Sequence, residues 1–474
     1  MTQTALPAHA VRRRAFFGMF DADGWSWAIV KSIFWFVVII VLLGYIPDRA
    51  YYFTVQRTVD VGVLGWSPIN FCPAENETLP CPAPAGASLP WHPNPTGVAL
   101  PAGRTDAAAA VLGQTYIVAG GSDGSAASKD VYVTHAVGTG NLDAWSAGPA
   151  LPEARANAAF VTIGSTLYVI GGTGPDGKPA STVYSLTVNN DGTLGEWVTD
   201  FTALPEARTG ASAVAVSDGL VVMGGSNGTV ATNSVWKIQV GAGGPTSEWT
   251  VQQPLAEPNA DGIAMHVGDV IYVIGGTNDQ GAAVATVQMG LVGGGANATA
   301  KDPNVIDALW MMSAQTNLPG PRTNMSGFNS NGVIYVQGGS DGQVARTETL
   351  WAQPDANGVI AQWNHLAQTD LGEGIQGAAA FVSGPHGFMA GGTTQAGVTG
   401  GLARAYLAPQ EPFFQLGVLG ATLPALKLEG EIGQQIGYLN AAGVGTVNFV
   451  IVLLIGWAFN HKEQVRARFA RKRD

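Results

Sequence analysis

Four arginines recur at one register of the chain, each 16 residues before a pair of glycines, and Asn259 and Ile375 occupy the same register in two further repeats. Two residues later the chain carries a carboxylate, an amide or a glycine. The forked donors of a guanidinium can contact a bound ligand, or can lock the fold by binding carbonyls and carboxylates of the protein. Both interpretations stay open. The candidate ligand- or partner-binding residues are Arg104, Asp106, Arg155, Asn157, Arg208, Asn259, Asp261, Arg322 and Asn324.

Four carboxylates close to this register could perform acid–base chemistry: Asp106, Asp261, Glu153 and Glu206. Proton transfer at a sugar carbon needs two carboxylates with shifted pKa values. Nothing in the local sequence predicts such shifts, and we expect Glu153 and Glu206 to be exposed in turns. We therefore assign no catalytic residue.

Metal ligands do not cluster in the repeats. Their histidines, each of which we expect at the surface or in a turn, occupy different places in the repeat. Aspartates beside glycines lack the oxygen spacing of a calcium loop and predict hairpin turns. We expect no metal and no cofactor. The histidines are His135, His266, His365 and His386.

These residues belong to an internal repeat. Glycine pairs occur at 120/121, 171/172, 224/225, 275/276, 338/339 and 391/392, each after a short β-type run such as TYIVAGG or VIYVIGG. A tryptophan follows about 24 residues later at Trp145, Trp197, Trp249 and Trp363, Trp310 is displaced by about ten residues, and Phe414 lies near the sixth equivalent position. Each repeat therefore predicts one four-stranded propeller blade.

The glycine pairs and tryptophans resemble those of kelch-repeat proteins over residues 104 to 415. The resemblance implies an all-β, six-bladed kelch-type propeller whose channel mouth often binds ligands. Some relatives are copper oxidases resembling galactose oxidase, but this propeller has no cysteine; others are sialic acid epimerases. The ring could close with a complete sixth blade or with an edge strand borrowed from 95–103 or 413–420, and the sequence leaves these alternatives open. The insertion at 291–303 predicts an exposed loop.

Apolar segments flank the repeats and predict two transmembrane helices. Arginines before the first and the basic tail after the second place both termini in the cytoplasm and the propeller outside it, in the cell membrane of a bacterium. The predicted segments are a cytoplasmic tail (1–24), helix 1 (25–46), a stalk (47–103), the propeller (104–420), a connector (421–436), helix 2 (437–459) and a basic cytoplasmic tail (460–474).

The exported region contains both cysteines, Cys72 and Cys81, which an oxidising compartment would let pair as a disulfide. A metal site is rejected because two cysteines supply too few ligands. Residues 32–460 carry a net charge of −17 within a total of −11. This charge excludes nucleic acid as a partner and suits either solubility or the steering of a basic soluble protein.

Small residues recur every fourth position toward helix 2, a pattern that permits close helix packing. Asn448 in the apolar run also favours burial against another helix, which is either helix 1 or a helix of another subunit. We therefore predict a non-enzymatic protein-binding or scaffolding subunit of a membrane complex. The alternatives are an epimerase- or mutarotase-like enzyme and a carbohydrate or peptide receptor that uses the channel mouth. The packing residues are Gly433, Gly437, Ala441, Gly445 and Asn448.

Overall fold

In a computed structural model the chain divides into two compact units, each held together by its own internal contacts. One unit comprises Thr58–Ser67 and Pro84–Gln410, and the other comprises Met1–Arg57, Pro68–Ala83 and Glu411–Asp474. The repeats all lie in the first of these units. The structure describes residues 33–35, 38, 86–88, 90–93, 98–137, 142–189, 192–241, 243–293, 309–384, 386–407, 413–416 and 421–424.

Six antiparallel sheets follow one another along the described chain, as the repeats predict. We number them blades 1 to 6. An early strand, β1 (His92–Pro93), precedes blade 1. Blade 1 contains β2 (Ala108–Leu112), β3 (Thr115–Ala119), β4 (Val131–His135) and β5 (Ser146–Ala147). Blade 2 contains β6 (Ala159–Ile163), β7 (Thr166–Ile170) and β8 (Val183–Thr187). Blade 3 contains β9 (Ser212–Val216), β10 (Gly219–Met223), β11 (Val235–Gly241), β12 (Gly244–Pro245) and β13 (Thr250–Val251).

The second half of the ring repeats this arrangement. Blade 4 contains β14 (Ile263–Val267), β15 (Val270–Ile274), β16 (Val287–Leu291) and β17 (Met311–Met312). Blade 5 contains β18 (Ser326–Ser330), β19 (Val333–Gln337), β20 (Thr349–Ala352) and β21 (Asn364–His365), followed by a 3₁₀ helix, Ala367–Thr369. Blade 6 contains β22 (Ala379–Ser383), β23 (His386–Ala390), a loop hairpin of β24 (Thr393–Thr394) and β25 (Gly397–Val398), and β26 (Leu402–Tyr406).

Tight hairpins set the register inside each blade. In blade 1, β2 pairs β3 from Ala108↔Ala119 to Leu112↔Thr115, which leaves a two-residue turn at Gly113 and Gln114. Gly113 takes φ +64, the left-handed conformation that such turns demand. The outer strand is short everywhere, and in blade 2 it is a single bridge between Ser185 and Val198.

The N-terminal strand β1 closes the ring by completing blade 6. β1 pairs with β26 through His92↔Arg404 and Pro93↔Ala403, and Ser88 bridges Leu407. Closure thus uses residues 88–93, not 95–103 or 413–420. The described part of the second segment, β27 (Phe413–Leu416), pairs instead with β28 (Ala421–Pro424).

A tryptophan directly precedes each outer strand, and in blade 6 this residue is Trp91. It is 8% exposed and its indole N–H donates to Thr349 Oγ1 at 2.9 Å. The assignment of Phe414 to this position is wrong, because Phe414 lies in β27 outside the blade. Because the N-terminal strand β1 completes blade 6, the aromatic residue of that blade lies before the repeats in the sequence and not after them.

Apolar side chains from facing blades form the core. Between blades 1 and 2, for example, Ile117 and Val133 pack against Leu167 and Leu186. The closing interface between blades 6 and 1 is built in the same way, with the rings of Tyr116 and Phe381 5.4 Å apart. Each sheet is therefore buried on both faces, and burial of this kind is the main stabilising contribution to the ring.

Most of the predicted membrane part lies outside the described residues. Residues 33–35 and 38 of predicted helix 1 are helical, whereas 437–459 are not described. Within the described residues, no helix has the length and apolar character needed to span a bilayer. The predicted disulfide, the insertion from residue 294 onward and the small-residue ladder also fall outside them. The undescribed cysteines are Cys72 and Cys81, and the undescribed packing residues of helix 2 are Gly433, Gly437, Ala441, Gly445 and Asn448.

We expect Trp91→Ala to lower the free energy of unfolding by about 3 kcal/mol, because it removes a buried indole at the closing strand. Urea unfolding followed by circular dichroism measures this change. Val251→Ala is the matched control, since Val251 lies on the outer strand of blade 3 and is 79% exposed. Equal stability of the two variants would contradict the assignment of Trp91 to blade 6.

Candidate functional site

The glycine pairs allow neighbouring blades to meet backbone to backbone. The second glycine of each pair donates its N–H to the carbonyl of the arginine-register residue in the next blade, and Gly392 donates to Arg104 at 2.6 Å to close the circle. A Cβ on the first glycine would lie only 2.2–2.6 Å from that same carbonyl oxygen. This close approach of two backbones explains why a glycine pair recurs in every repeat. The six bonds are Gly121 to Arg155, Gly172 to Arg208, Gly225 to Asn259, Gly276 to Arg322, Gly339 to Ile375 and Gly392 to Arg104.

A second closed circle of hydrogen bonds joins the residues two positions after the arginine register. Each backbone N–H donates to the equivalent carbonyl of the preceding blade at 2.8–3.0 Å, and Asp106 donates to Gly377 to complete the circle. All six residues have φ between +49 and +64. Only glycine, asparagine and aspartate adopt this conformation readily. The members are Asp106, Asn157, Gly210, Asp261, Asn324 and Gly377. We call them the inner ring.

Side chains of the inner ring meet although they are far apart in sequence. Asn157 Nδ2 donates to Asp261 Oδ1 at 2.6 Å, across the intervening Gly210. A Cβ on Gly210 would lie 2.1 Å from Asp261 Oδ1, so only glycine leaves room for this bond. Gly377 similarly makes room beside the Asp106 carboxylate. The ring therefore brings together two predicted carboxylates and one predicted amide.

Both carboxylates of the inner ring have raised pKa values. Burial, and next the negative charge of Asp261, raise the pKa of Asp106 to about 6. Burial raises the pKa of Asp261, while hydrogen bonds from Asn157 and Thr277 oppose the shift. The local sequence gave no sign of these shifts, because burial of both carboxyls, and for Asp106 also the charge of Asp261, arises only when the ring closes. Two coupled acids at the centre can hold or exchange a proton.

The predicted binding arginines are buried in their own blades. Arg155 donates to Glu153, Thr182 and Tyr184, and its guanidinium carbon lies 5.2 Å from the Tyr184 ring centre. Arg208 is equivalent, with Glu206 as its acidic partner, and lies 4.8 Å from the ring of Trp236. Both arginines are 2% exposed. Their contacts support the structural interpretation.

The same register is filled differently in the other blades. Arg104 pairs with Asp130 and also contacts Tyr132, whereas Arg322 pairs with Glu348. Asn259 instead donates through Nδ2 to the carbonyl of Gly275. Glu153 and Glu206 are 58% and 65% exposed, as predicted for turn residues.

A hydroxyl side chain follows every glycine pair, a regularity that sequence reasoning missed. Each of these residues forms an antiparallel bridge to the residue just before the inner ring. One hydroxyl pair joins blades directly, because Thr173 Oγ1 and Thr209 Oγ1 lie 2.7 Å apart. The pattern Gly-Gly-Ser/Thr could have revealed the set. Its members are Ser122, Thr173, Ser226, Thr277, Ser340 and Thr393.

The histidines are dispersed in the described structure. His386 is 4% exposed, so its assignment to the surface or a turn is wrong. Burial, and next the charge of Arg404, lower its pKa to about 4. His266 contacts the carbonyl of Ala215, and His365 contacts Asp370. Among the described residues, no three potential ligands are close enough to hold a metal.

Burial of cations makes the propeller surface strongly acidic. Nine arginines and lysines lie in the described part of 98–407, and six are buried: Arg104, Arg155, Arg208, Lys237, Arg322 and Arg404. Only Lys129 and Lys178 among these nine are fully in the exposed class, beside a half-exposed Arg346. Fourteen carboxylates of the same residues are exposed: Asp123, Asp130, Asp143, Glu153, Asp176, Glu196, Asp200, Glu206, Glu248, Glu257, Asp269, Asp279, Asp355 and Glu373.

We expect Asp106→Asn to flatten the pH dependence of stability. The folded pKa of about 6 exceeds the ordinary value of 3.8, so the folded state retains a proton that the unfolded state loses. In the wild type, the free energy of unfolding should therefore fall by on the order of 2 kcal/mol as pH rises from 4 to 6. Asparagine keeps the left-handed backbone, as Asn157 does.

Urea titrations at pH 4, 5, 6 and 7 test this expectation, with exposed Asp279→Asn as the control. The control should keep the wild-type slope. A variant at Asp106 that also keeps it would refute the role of this carboxyl.

Comparison with known proteins agrees with this geometry. Residues 106–288 match the family model described as the KLHDC2/KLHL20/DRC7 Kelch-repeats domain. A solved structure titled "Structure of YjhT" aligns with a TM-score of 0.52 and 15% identity, over 65% of this chain and 95% of that one. At this identity the likeness concerns the fold alone. No curated protein sequence matches the chain. The chain therefore contains Kelch repeats, folded as a six-bladed β-propeller.

Proposed function

We propose that this protein is a non-enzymatic, membrane-anchored binding subunit whose acidic propeller docks a basic protein on its extracytoplasmic side. The observation that carries the proposal is the imbalance of exposed charge, fourteen carboxylates against two fully exposed lysines in the described part of 98–407. A field of one sign accelerates encounter with a partner of the opposite sign. Three of the fourteen, Asp130, Glu153 and Glu206, pair with buried arginines, so eleven exposed carboxylates remain against the two lysines.

The docking surface is the mouth face, which we define as the loops after the glycine pairs together with the loops before the inner strands. These loops share one end of the propeller, because bridges such as Thr105↔Ser122 join them. Val230 and Val344, which are 43% and 56% exposed, add apolar contact area. Its exposed carboxylates include Asp123, Asp130, Glu153, Asp176, Glu206, Glu257, Asp279 and Glu373.

The scaffold beneath these loops is rigid, which suits recognition. Two closed circles of backbone hydrogen bonds fix the base of every mouth loop. Side-chain caps stiffen the loops further, as where Asp123 Oδ1 accepts the N–H groups of Ser125 and Ala126. A pre-ordered loop loses less conformational entropy on binding than a mobile one.

The predicted membrane helices supply the second part of the proposal. Small residues near helix 2, with Asn448 inside its apolar run, favour packing against another helix. Two anchors would hold the propeller close to a membrane complex, where a docked protein would meet the remaining subunits. The proposed partners are therefore membrane-complex subunits and a basic soluble protein.

Charge removal on the mouth face tests the proposal. The triple variant Asp123→Asn, Asp176→Asn, Asp279→Asn should slow association with the partner that co-purifies in mild detergent by about tenfold at low salt. Biosensor kinetics measure the rate. Asparagine retains the side-chain oxygen that caps these turns.

The control variant Asp143→Asn, Asp269→Asn, Asp355→Asn removes the same charge at the other end of the blades and should associate nearly as fast as the wild type. Equal slowing in both variants would contradict a specific mouth face. Purification without any partner would contradict the subunit assignment.

A second candidate function is the binding or anomer exchange of a carbohydrate at the inner ring. The coupled carboxyls Asp106 and Asp261, with raised pKa values, favour it, since neighbouring acids of this kind serve proton transfer. Asp261→Asn should then abolish binding and anomer exchange of N-acetylneuraminic acid in NMR spectra, whereas Glu248→Gln should leave both unchanged. If neither activity occurs in the wild type, this candidate is eliminated.

A further inference from the structure

Blade 6 contains a vacant copy of the position that an arginine fills elsewhere. Equivalent positions follow from the bonds of the first glycine in each pair, whose N–H donates to the carbonyl of Thr182 in blade 2, Ser234 in blade 3 and Gly401 in blade 6. In blades 2 and 3 an arginine enters this position from the mouth face. We call the position and its lining the arginine slot.

Four kinds of group hold the arginine in an occupied slot. In blade 3 they are the Glu206 carboxylate, the Thr232 and Ser234 hydroxyls, the carbonyl of Ala207 and the ring of Trp236. Blade 2 repeats the set, with Glu153, Thr182 and Tyr184 around Arg155. The slot thus provides charge, hydrogen-bond acceptors and an aromatic face.

Blade 6 keeps a carboxylate and one hydroxyl but loses the occupant, and Gly401 removes the hydroxyl that Ser234 supplies in blade 3. Glu373 stands where blade 3 has Glu206, and Thr399 where it has Thr232. Ile375 replaces the arginine, and Ala403 replaces the aromatic ring. Smaller side chains at both places leave the slot unfilled.

A cavity of about 340 Å³ occupies this location. Its lining includes every slot position of blade 6, namely Glu373, Ile375, Thr399, Gly401 and Ala403. Trp91 also lines the cavity, so an aromatic side chain borders it although Ala403 has replaced the ring of blades 2 and 3. The rim residues His92, Pro93, Gly372 and Glu373 are exposed, so the cavity is open to solvent.

Blade 4, which also lacks the arginine, closes its slot internally. Gln288 occupies the aromatic position, accepts a hydrogen bond from the N–H of Glu257 and donates one to its carbonyl. Blade 6 has no such amide, because Ala403 stands at that position. Loss of the arginine alone therefore does not produce a cavity.

We propose that the blade 6 slot binds an arginine side chain supplied by the basic partner. The Glu373 carboxylate would pair with the guanidinium, as Glu153 and Glu206 do in blades 2 and 3. The Thr399 hydroxyl would accept a hydrogen bond, as Thr232 does in blade 3, and Trp91 would contact the guanidinium plane. This inference rests on the proposed function and names its anchoring contact. A buried arginine in a fitted pocket is a common centre of binding energy.

The slot selects guanidinium over other groups. Lysine offers a point charge without the planar fork that reaches a carboxylate and a hydroxyl together. An apolar side chain would leave Glu373 without a cation. The lining residues found in the described structure include no lysine or arginine that could neutralise this carboxylate.

Short peptides test the slot with the full-length protein in mild detergent. The probes are acetyl-Gly-Arg-Gly-amide and its lysine and citrulline counterparts, and the readout is ligand-observed NMR line broadening. The arginine peptide should bind saturably, and the lysine and neutral citrulline peptides about tenfold more weakly or not at all.

Three variants localise the binding. Glu373→Gln should weaken the arginine peptide about tenfold through loss of a charge-assisted hydrogen bond. Ile375→Arg should abolish binding, because it fills the slot from within as in blade 2, and an unchanged or raised melting temperature will show that it folds. Glu248→Gln, exposed and outside the slot, should bind like the wild type.

Equal binding of the arginine and citrulline peptides, wild-type binding by Glu373→Gln, or no saturable binding of the arginine peptide would overturn the slot. The co-purifying partner separates this result from the wider proposal. If that partner still binds in a salt-dependent way that the mouth-face triple variant weakens, the acidic docking surface stands and only the slot fails.

Discussion

Two closed circles of backbone hydrogen bonds around the propeller axis determine which residues each repeat can use. In the inner ring, every N–H reaches the neighbouring blade only because the residue adopts a positive φ. In the other circle, which joins the glycine pairs to the arginine register, each arginine-register carbonyl lies so close to the first glycine of the pair that a Cβ there would collide with it. Glycine pairs, inner-ring amides and carboxyls, and the hydroxyls beside them all follow from this geometry. Their recurrence therefore reflects the backbone before it reflects any ligand.

The repeat architecture could be predicted from sequence because its signals are local. Each glycine pair ends a strand and each tryptophan precedes one, so six blades follow from spacing. Trp91 escaped prediction because it precedes the repeats and joins blade 6 only after the chain has come full circle. The raised pKa of Asp106 escaped prediction for a similar reason, since its burial and the nearby charge of Asp261 arise only in the closed ring. The buried arginines show the converse, because a recurring charged residue resembles a ligand site until its partners within the blade are known.

Departures from the repeat carry more functional information than the repeat itself. Arg155 and Arg208 mark the filled state of a position that blade 6 leaves open, and Glu373 preserves the acceptor without the donor. Gly210 and Gly377 likewise interrupt the polar inner ring where a side chain would displace the carboxyls of Asp261 and Asp106. In a pseudosymmetric fold, the residue at a given position in one blade can be compared with the residues at the equivalent positions in the other blades.

Completion of blade 6 by β1 also constrains how the chain reaches its native state. His92 can pair with Arg404 only after almost the whole propeller has been synthesised. This closing pair has the longest sequence separation among the paired strands of the described propeller. Until the last strand is available, no arrangement of the earlier blades can cover every strand edge, and loop closure over such a distance is slow. A nascent chain therefore exposes open strand edges until β26 has been synthesised, which makes this propeller a natural client for chaperones.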